Sequence, residues 1–391
     1  MPTACHAPSL PAGSSRPRRT ILTALSAGAN GLAFGIFDWI DEARPTPLAD
    51  QYEQRLRMLE YADAAGFWCY HLAEHHGTPL SMSPSPHLFL AAASQHTRHI
   101  RLGPLVTLLP LYSPIRVIEE ICMLDHLSRG RIELGVGRGV VPAELAQYNV
   151  RGEESRAIFL EALDVVVQGL RDGHVAHEGP HYRFPNAIVP LRPLQRPYPP
   201  LWYPTSNPDS VEWIASHGFN TMFGFTLPTL EQTVTQLARH RRILDAHRSD
   251  PNRLNGHVAA PMCGLARHVY VAESDRRAEE EARGAYVEFR ENFLSRPPVP
   301  GALPEAIHAM RRENWEQFVE QGGIFVGSPE TVRRGIQQYL DATSISYFVG
   351  VFAFGNLSLE RILTSMRLFV EQVAPALTTP VSSGQGATAG G

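Results

Sequence analysis

Cysteine is scarce in this chain: four residues in 391, none spaced as C-x-x-C, which leaves no disulfide framework. Cys69, Cys122 and Cys263 sit inside apolar segments and Cys5 lies near the start, so the thiols read as buried groups in a reducing, cytoplasmic compartment. No apolar run approaches ~20 residues, which excludes an ordinary transmembrane helix. Positive charge is not in excess either. The formal net charge is −4, so no basic field invites nucleic acid or an anionic membrane. No internal repeat with a period of roughly 20–50 residues is present, which argues against a solenoid. What remains is ordinary globular composition, 43% hydrophobic and 19% charged, enough for one large core. Length alone suggests two or three domains, but an α/β barrel can use such a length in one.

The ends differ from the middle. "MPTACHAPSLPAGSSRP" has the composition of a disordered extension. "RPRRTILTALSAGA" (16–29) also has two arginines before a short apolar stretch, as in a twin-arginine export signal. That stretch is weak, and a strand begins soon after it, which favours the extension. "TTPVSSGQGATAGG" reads as a floppy tail. The expected layout is an extension over 1–30, one folded unit over 31–377 and a tail over 378–391.

Within that unit, strand-like runs alternate with helical patterns. "LAFGIF", "FWCYHL", "IRLGPLVTLLP", "RIELGVG", "LWYPT", "NTMFG", a run inside "VAAPMCGLARHVYVA" with a bulge at Gly264, and "SYFVGVFAF" make eight. Between the first two, Leu56, Leu59 and Ala62 share a helical face that stops at Gly66. "SPIRVIEEICMLDHLSRG" is punctuated by Ser113 at the N-cap, Pro114 in the first turn and Gly130 at the stop. Eight β runs alternating with helices imply a parallel sheet with right-handed crossovers, and eight strands close a (β/α)8 TIM barrel. A doubly wound open sheet is the rival. Residues 172–200 break the rhythm and read as an inserted hairpin or excursion. Residues 275–323, polar and helical with a break at "SRPPVPGALP" (295–304), read as a lid-like segment.

Active sites lie at the carboxyl ends of barrel strands, so the loops after strands two to five line one mouth. The loop after strand two begins "AEHHG". A zincin needs H-E-x-x-H on a helix; here Glu74, His75 and His76 follow a strand, and the His71–His75 spacing of four helps only on a helix. That leaves a polar loop or an acid/base site, for which imidazole is suited because it titrates near neutrality. "GVGRG" (135–139) fails the G-x-G-x-x-G fingerprint, since position six is Val140 or Pro142. Its glycines still allow a ligand near the backbone, and Arg138 can pair with a phosphate; a tight turn with a surface arginine is the alternative. Ser206, Asn207 and Ser210 in "TSNPDSVEWIASHG" suit a helix N-terminus that binds phosphate, or simple capping. "VGSPETV" (326–332) reads as capping. Asp125 is expected to anchor the helix-to-strand turn, and His174, His177 and His181 to lie at the surface.

The run from "AEHHG" through "SPIRVIEEICMLDHLSRGRIELGVGRG", with "VGSPETV" and "FGNLSLERILTSMRLFVEQVAPAL" near the end, closely resembles the bacterial luciferase-like flavin-dependent monooxygenases over roughly residues 32–377. The resemblance implies a (β/α)8 barrel with flavin mononucleotide (FMN) at its carboxyl mouth. It implies reduced FMN supplied by a separate reductase, O2 adding at flavin C4a, and the resulting peroxide oxygenating a small organic substrate such as an aldehyde or ketone. It implies a homodimer. His75 matches the family's catalytic histidine, His76 the second histidine and Glu74 the preceding acid. Arg138 matches the phosphate-binding arginine. A cysteine beside the flavin ring is replaced by Gly137, a change expected to open space there. Ser206 and Asn207 loosely match residues before the strand-five helix, and a non-proline cis bond is expected at Leu105-Val106. A branch of the family uses the deazaflavin F420 for hydride transfer, and another member binds flavin without turnover; both remain alternatives.

Overall fold

The computed structural model describes Leu25 and residues 31–205, 208–224, 229–295, 314–343 and 345–379. Its strands, in chain order, are β1 (Ala33–Asp38), β2 (Cys69–Leu72), β3 (Arg101–Pro104), β4 (Thr107–Leu108), β5 (Leu134–Gly137), β6 (His174–Glu178), β7 (Arg183–Ile188), β8 (Leu201–Trp202), β9 (Thr221–Phe223), β10 (Cys263–Val271), β11 (Ile324–Gly327) and β12 (Tyr347–Val351). The helices are α1 (Leu48–Ala65), α2 (Pro86–His96), α3 (Pro114–Ser128), α4 (Pro142–Gln147), α5 (Ser155–Asp172), α6 (Pro208–Ser216), α7 (Leu230–Ala246), α8 (Asp275–Leu294), α9 (Trp315–Glu320), α10 (Pro329–Ala342) and α11 (Leu359–Leu368).

Parallel pairing runs β12–β1–β2–β3. It continues through the Leu102–Ile132 bridge and the β4–β5–β8 ladder. The Trp202–Asn220 bridge carries it to β9, and β10 returns it to β12. Strand three is split into β3 and β4, so eight staves close a barrel and the open-sheet rival is set aside. Buried strands with apolar faces on both sides suit this arrangement, because helices cover the outside. α1 shows how the cover attaches: Leu59 and Ala62 are buried, and Gly66 ends the helix at φ 89°, a left-handed conformation that glycine adopts without strain. In α3, Arg129 rather than Gly130 takes the first left-handed position, and Gly130 follows with φ 80°.

The barrel interior is packed. The Tyr347 ring crosses it between two glycines: a Cβ on Gly264 would lie 2.9 Å from its Cδ1, and one on Gly35 would overlap its hydroxyl end. The bulge expected from sequence at Gly264 is therefore absent. The Gly264 ladder with Tyr347 and Met222 is regular, and the glycine is there for the ring. The Tyr347 hydroxyl lies 3.0 Å from His71 Nε2, and burial pushes that imidazole down to about 3, so it is neutral. Nearby, Glu133 accepts from Trp202 Nε1 (2.5 Å) and pairs with Arg101.

Two further elements adjust the expected plan. Within residues 172–200, β6 and β7 pair as an antiparallel hairpin. β11 was not foreseen: past Leu265, where β9 ends, it takes over the same edge of β10. The 295–304 break lies, beyond Ser295, outside the described residues. At its carboxyl end α8 is tied to the loops at the barrel's rim. Asn292 donates to Asp41 (3.1 Å) and to the Glu42 carbonyl (2.7 Å), and Thr78 donates to the Ser295 carbonyl (2.8 Å).

Candidate active site

The loops after β1, β2, β4 and β5 meet at the carboxyl rim. The chain leaves β2 at Leu72, and Glu74 to His76 form no regular element. His71 and His75 therefore share no helical face: the first belongs to the barrel interior and the second to the rim. The adjacent imidazoles diverge. His75 is 20% exposed, and its Nδ1 lies 3.0 Å from Oε1 and 3.3 Å from Oε2 of Glu144. His76 is buried, with Nε2 2.8 Å from Glu74 Oε1 and Nδ1 2.9 Å from the Tyr148 hydroxyl. The other Glu74 oxygen accepts from the Leu108 backbone N–H (3.1 Å), which ties this network to the strip after the cis bond. Burial first, and then Glu74, pushes the Tyr112 phenol far up, so it stays protonated.

The Leu105-Val106 bond is cis and non-proline, where the resemblance put it. Gly137 does not open space. Val106 fills it, since a Cβ on Gly137 would lie 2.5 Å from Val106 Cγ2. Loss of a side chain on β5 is matched by a branched one beside β4.

Arg138 follows β5, half-buried, and makes no hydrogen bond or ion pair with a described residue. It lies close enough to Tyr203, just past β8, to oppose the rise that burial causes in that phenol. The chain contains no lysine, so any phosphate-holding cation must be an arginine or a charged histidine. Ser206 and Asn207 lie outside the described residues. Ser210 is in the first turn of α6, partly exposed, next to Asp209.

Other residues have structural work. Ser328 caps α10 through Thr331, and its N–H reaches Asp275 (2.6 Å). Asp125 does not hold the turn with its side chain. The carboxylate accepts from Gln195 N and Nε2, both at 2.9 Å, and so pins the end of the insertion, while its backbone carbonyl closes the turn onto Gly130. His177 pairs with Glu161 (3.0 Å) and His174 with Asn186 (2.7 Å), both at or near the surface.

Sequence reasoning missed Glu144 and Tyr148, which partner the two imidazoles. Their signal was available: two polar side chains four apart just after the "GVGRG" turn. It also missed Asp41, a buried carboxyl whose Oδ1 has no hydrogen-bond partner among the described residues and whose Oδ2 is held by Asn292 and the Gly355 N–H (3.0 Å).

A closed (β/α)8 barrel with such a cluster at the carboxyl ends of its strands is the architecture of an enzyme. A model of the luciferase-like monooxygenase family matches residues 32–344, and the chain belongs to that family. It is 39% identical to the uncharacterized protein y4wF of Sinorhizobium fredii, over 85% of this chain and 93% of that one. It is 29% identical to the oxygenase component of the flavin-dependent trigonelline monooxygenase of Acinetobacter baylyi, over 59% of this chain and 62% of that protein. The monooxygenase RslO1 of Streptomyces bottropensis superposes with a TM-score of 0.76 at 26% identity, covering 88% of this chain and 99% of that one. Among the described residues, no helix is long and apolar enough to cross a membrane.

Proposed function

We propose that this flavin-dependent monooxygenase takes FMN, reduced by a separate reductase, and uses O2 to oxygenate a small organic substrate such as an aldehyde or ketone. The observation that carries the reading is His75 Nε2. It is the one ring nitrogen of the histidine pair that no described residue engages, on a partly exposed ring at the rim. Bound FMN would supply the electrons that activate O2. The residues present suit that cofactor. Arg138 is a cation without a carboxylate partner among the described residues, and it would hold the phosphate with Ser210, Ser206 and Asn207. Leu105, Val106 and Gly137 would form a flat apolar strip against the ring. His75 would accept or return a proton at the reacting centre. His76 and Glu74 would brace the wall behind it. The buried surroundings would keep water away.

A reductase partner is supported by the A. baylyi relative, which is the oxygenase component of its system. Exposed Leu88 on α2 and Met123 and Leu127 on α3 support self-association as a homodimer. Among the described residues, the free thiols of Cys69, Cys122 and Cys263 suit a cytoplasmic setting.

The test supplies chemically reduced FMN, 18O2 and a panel of aldehydes and cyclic ketones. Label in an oxygenated product is expected. Absence of label from every product, with FMN reoxidised at the free-flavin rate, overturns the proposal. Tight binding of F420 in place of FMN, with hydride transfer and no label, would move the chain to the deazaflavin branch.

A further inference from the structure

One short helix, α4, together with Tyr148 that caps its carboxyl end, touches both imidazoles and the glycine after them. Glu144, Gln147 and Tyr148 are three and four residues apart, the spacing that puts side chains on one helical face. Glu144 meets His75 Nδ1 at 3.0 Å, and the Tyr148 hydroxyl meets His76 Nδ1 at 2.9 Å. Between them Gln147 covers Gly77, where any Cβ would overlap its amide and where φ is 64°. Beneath, Leu145 occupies the space beside Gly139, 2.8 Å from where a Cβ there would lie. The glycines that end the two rim motifs, "EHHG" and "GVGRG", thus make room for α4.

The partners impose opposite demands on the two rings. A carboxylate only accepts, so Glu144 takes an Nδ1–H from His75 and Glu74 takes an Nε2–H from His76. With Nε2 protonated, neutral His76 carries its lone pair on Nδ1, and the Tyr148 hydroxyl donates to it. His75 keeps its lone pair on Nε2. We propose that α4 is a positioning clip that holds His75 and His76 in opposite neutral tautomers, with Glu144 and Tyr148 as its positioning residues. The clip explains how neighbouring imidazoles take different tasks: one presents a base, while the other is consumed by structure. Its catalytic meaning rests on the role proposed above for His75; the tautomers themselves do not.

The experiment is histidine-ring 15N–1H correlation NMR on the full chain, without flavin or substrate, at a pH where both imidazoles are neutral. His75→Gln and His76→Gln spectra assign the signals. The expected wild-type result is Nδ1–H for His75 and Nε2–H for His76. Glu144→Ala should release His75 into a mixture of tautomers, and Glu144→Gln, which keeps an acceptor oxygen, should restore Nδ1–H. Tyr148→Phe, a mild change at a 44% exposed residue, should shift only the Nδ1 signal of His76. The same tautomer on both rings of the wild-type chain overturns the clip, as does a His75 signal indifferent to Glu144→Ala. Because these readouts need no turnover, failure of the oxygenase proposal and failure of the clip are separate results. If both hold, Glu144→Ala lowers kcat more than it raises KM.

Discussion

Val106 occupies the space that a side chain at position 137 would need, with Cγ2 2.5 Å from a Cβ built on Gly137. β4 and β5 pair alongside, Leu108 opposite Gly137 and Thr107 opposite Val136, so neither backbone is free to retreat. Gly137→Ala should destabilise the fold by about 1–3 kcal/mol, the usual cost of overpacking. Val106→Ala in the same chain should recover part of that loss. Denaturant unfolding of the two single variants and the double variant gives the coupling. Additive effects would show that the two positions do not compete for one space.

Arg138 carries the second prediction. If it holds the FMN phosphate, Arg138→Ala removes a charge-assisted hydrogen bond worth about 1.5–3 kcal/mol. FMN affinity should fall roughly 10- to 100-fold. Riboflavin has the same ring and no phosphate, so its affinity should stay nearly level. Flavin fluorescence titration reads both, and equal losses would move Arg138 out of the phosphate site.

For His75 the discriminating measurement compares turnover with binding. A proton-handling group typically contributes about 10²–10⁴ in rate. His75→Ala should lower kcat within that range and leave FMN affinity nearly unchanged. A parallel loss of both would make the residue a structural part of the rim.

The barrel was legible because its signals are local. Alternating apolar runs and helical faces repeat along the chain, and Gly66 stops α1 with a conformation that glycine favours. β11 escaped because a four-residue apolar run between polar helices says nothing about which edge it will join; the free edge of β10 beyond Leu265 decides that. Gly264 looked like a bulge because the reason for it, the Tyr347 ring, lies more than eighty residues away in the chain. The candidate site divides the same way. "EHHG" announced a rim site, but a pair of histidines does not name its partners, and Glu144 and Tyr148 reach them only through the fold. Gly137 was read as a vacancy because the residue opposite it, Val106, is set by the route of β4.

Asp41 gives the pH prediction. Burial raises its carboxyl from 3.8 to about 7, against the opposing charge of Arg55 and the hydrogen bonds from Asn292 and the Gly355 N–H, and with Asp38 adding to the rise. The folded chain therefore holds this proton up to about pH 7, while the unfolded chain loses it near 3.8. Between those values the folded state binds more protons, so this group's contribution to stability is complete below about pH 4, declines as pH rises and is flat above about 7. Asn at position 41 keeps an acceptor for Asn292 and Gly355 but does not titrate. Relative to wild type, Asp41→Asn should gain stability across that window, with an upper bound on the order of several kcal/mol. Its absolute stability at acid pH is a separate matter, because the new amide must find a partner where Oδ1 has none. The slope is the test. Chemical denaturation at intervals of pH for both chains should give curves that separate from acid toward neutral pH and then run parallel. Parallel curves throughout would mean that Asp41 loses its proton at the same pH in the folded and unfolded chains, and that the groups around it offset what burial costs.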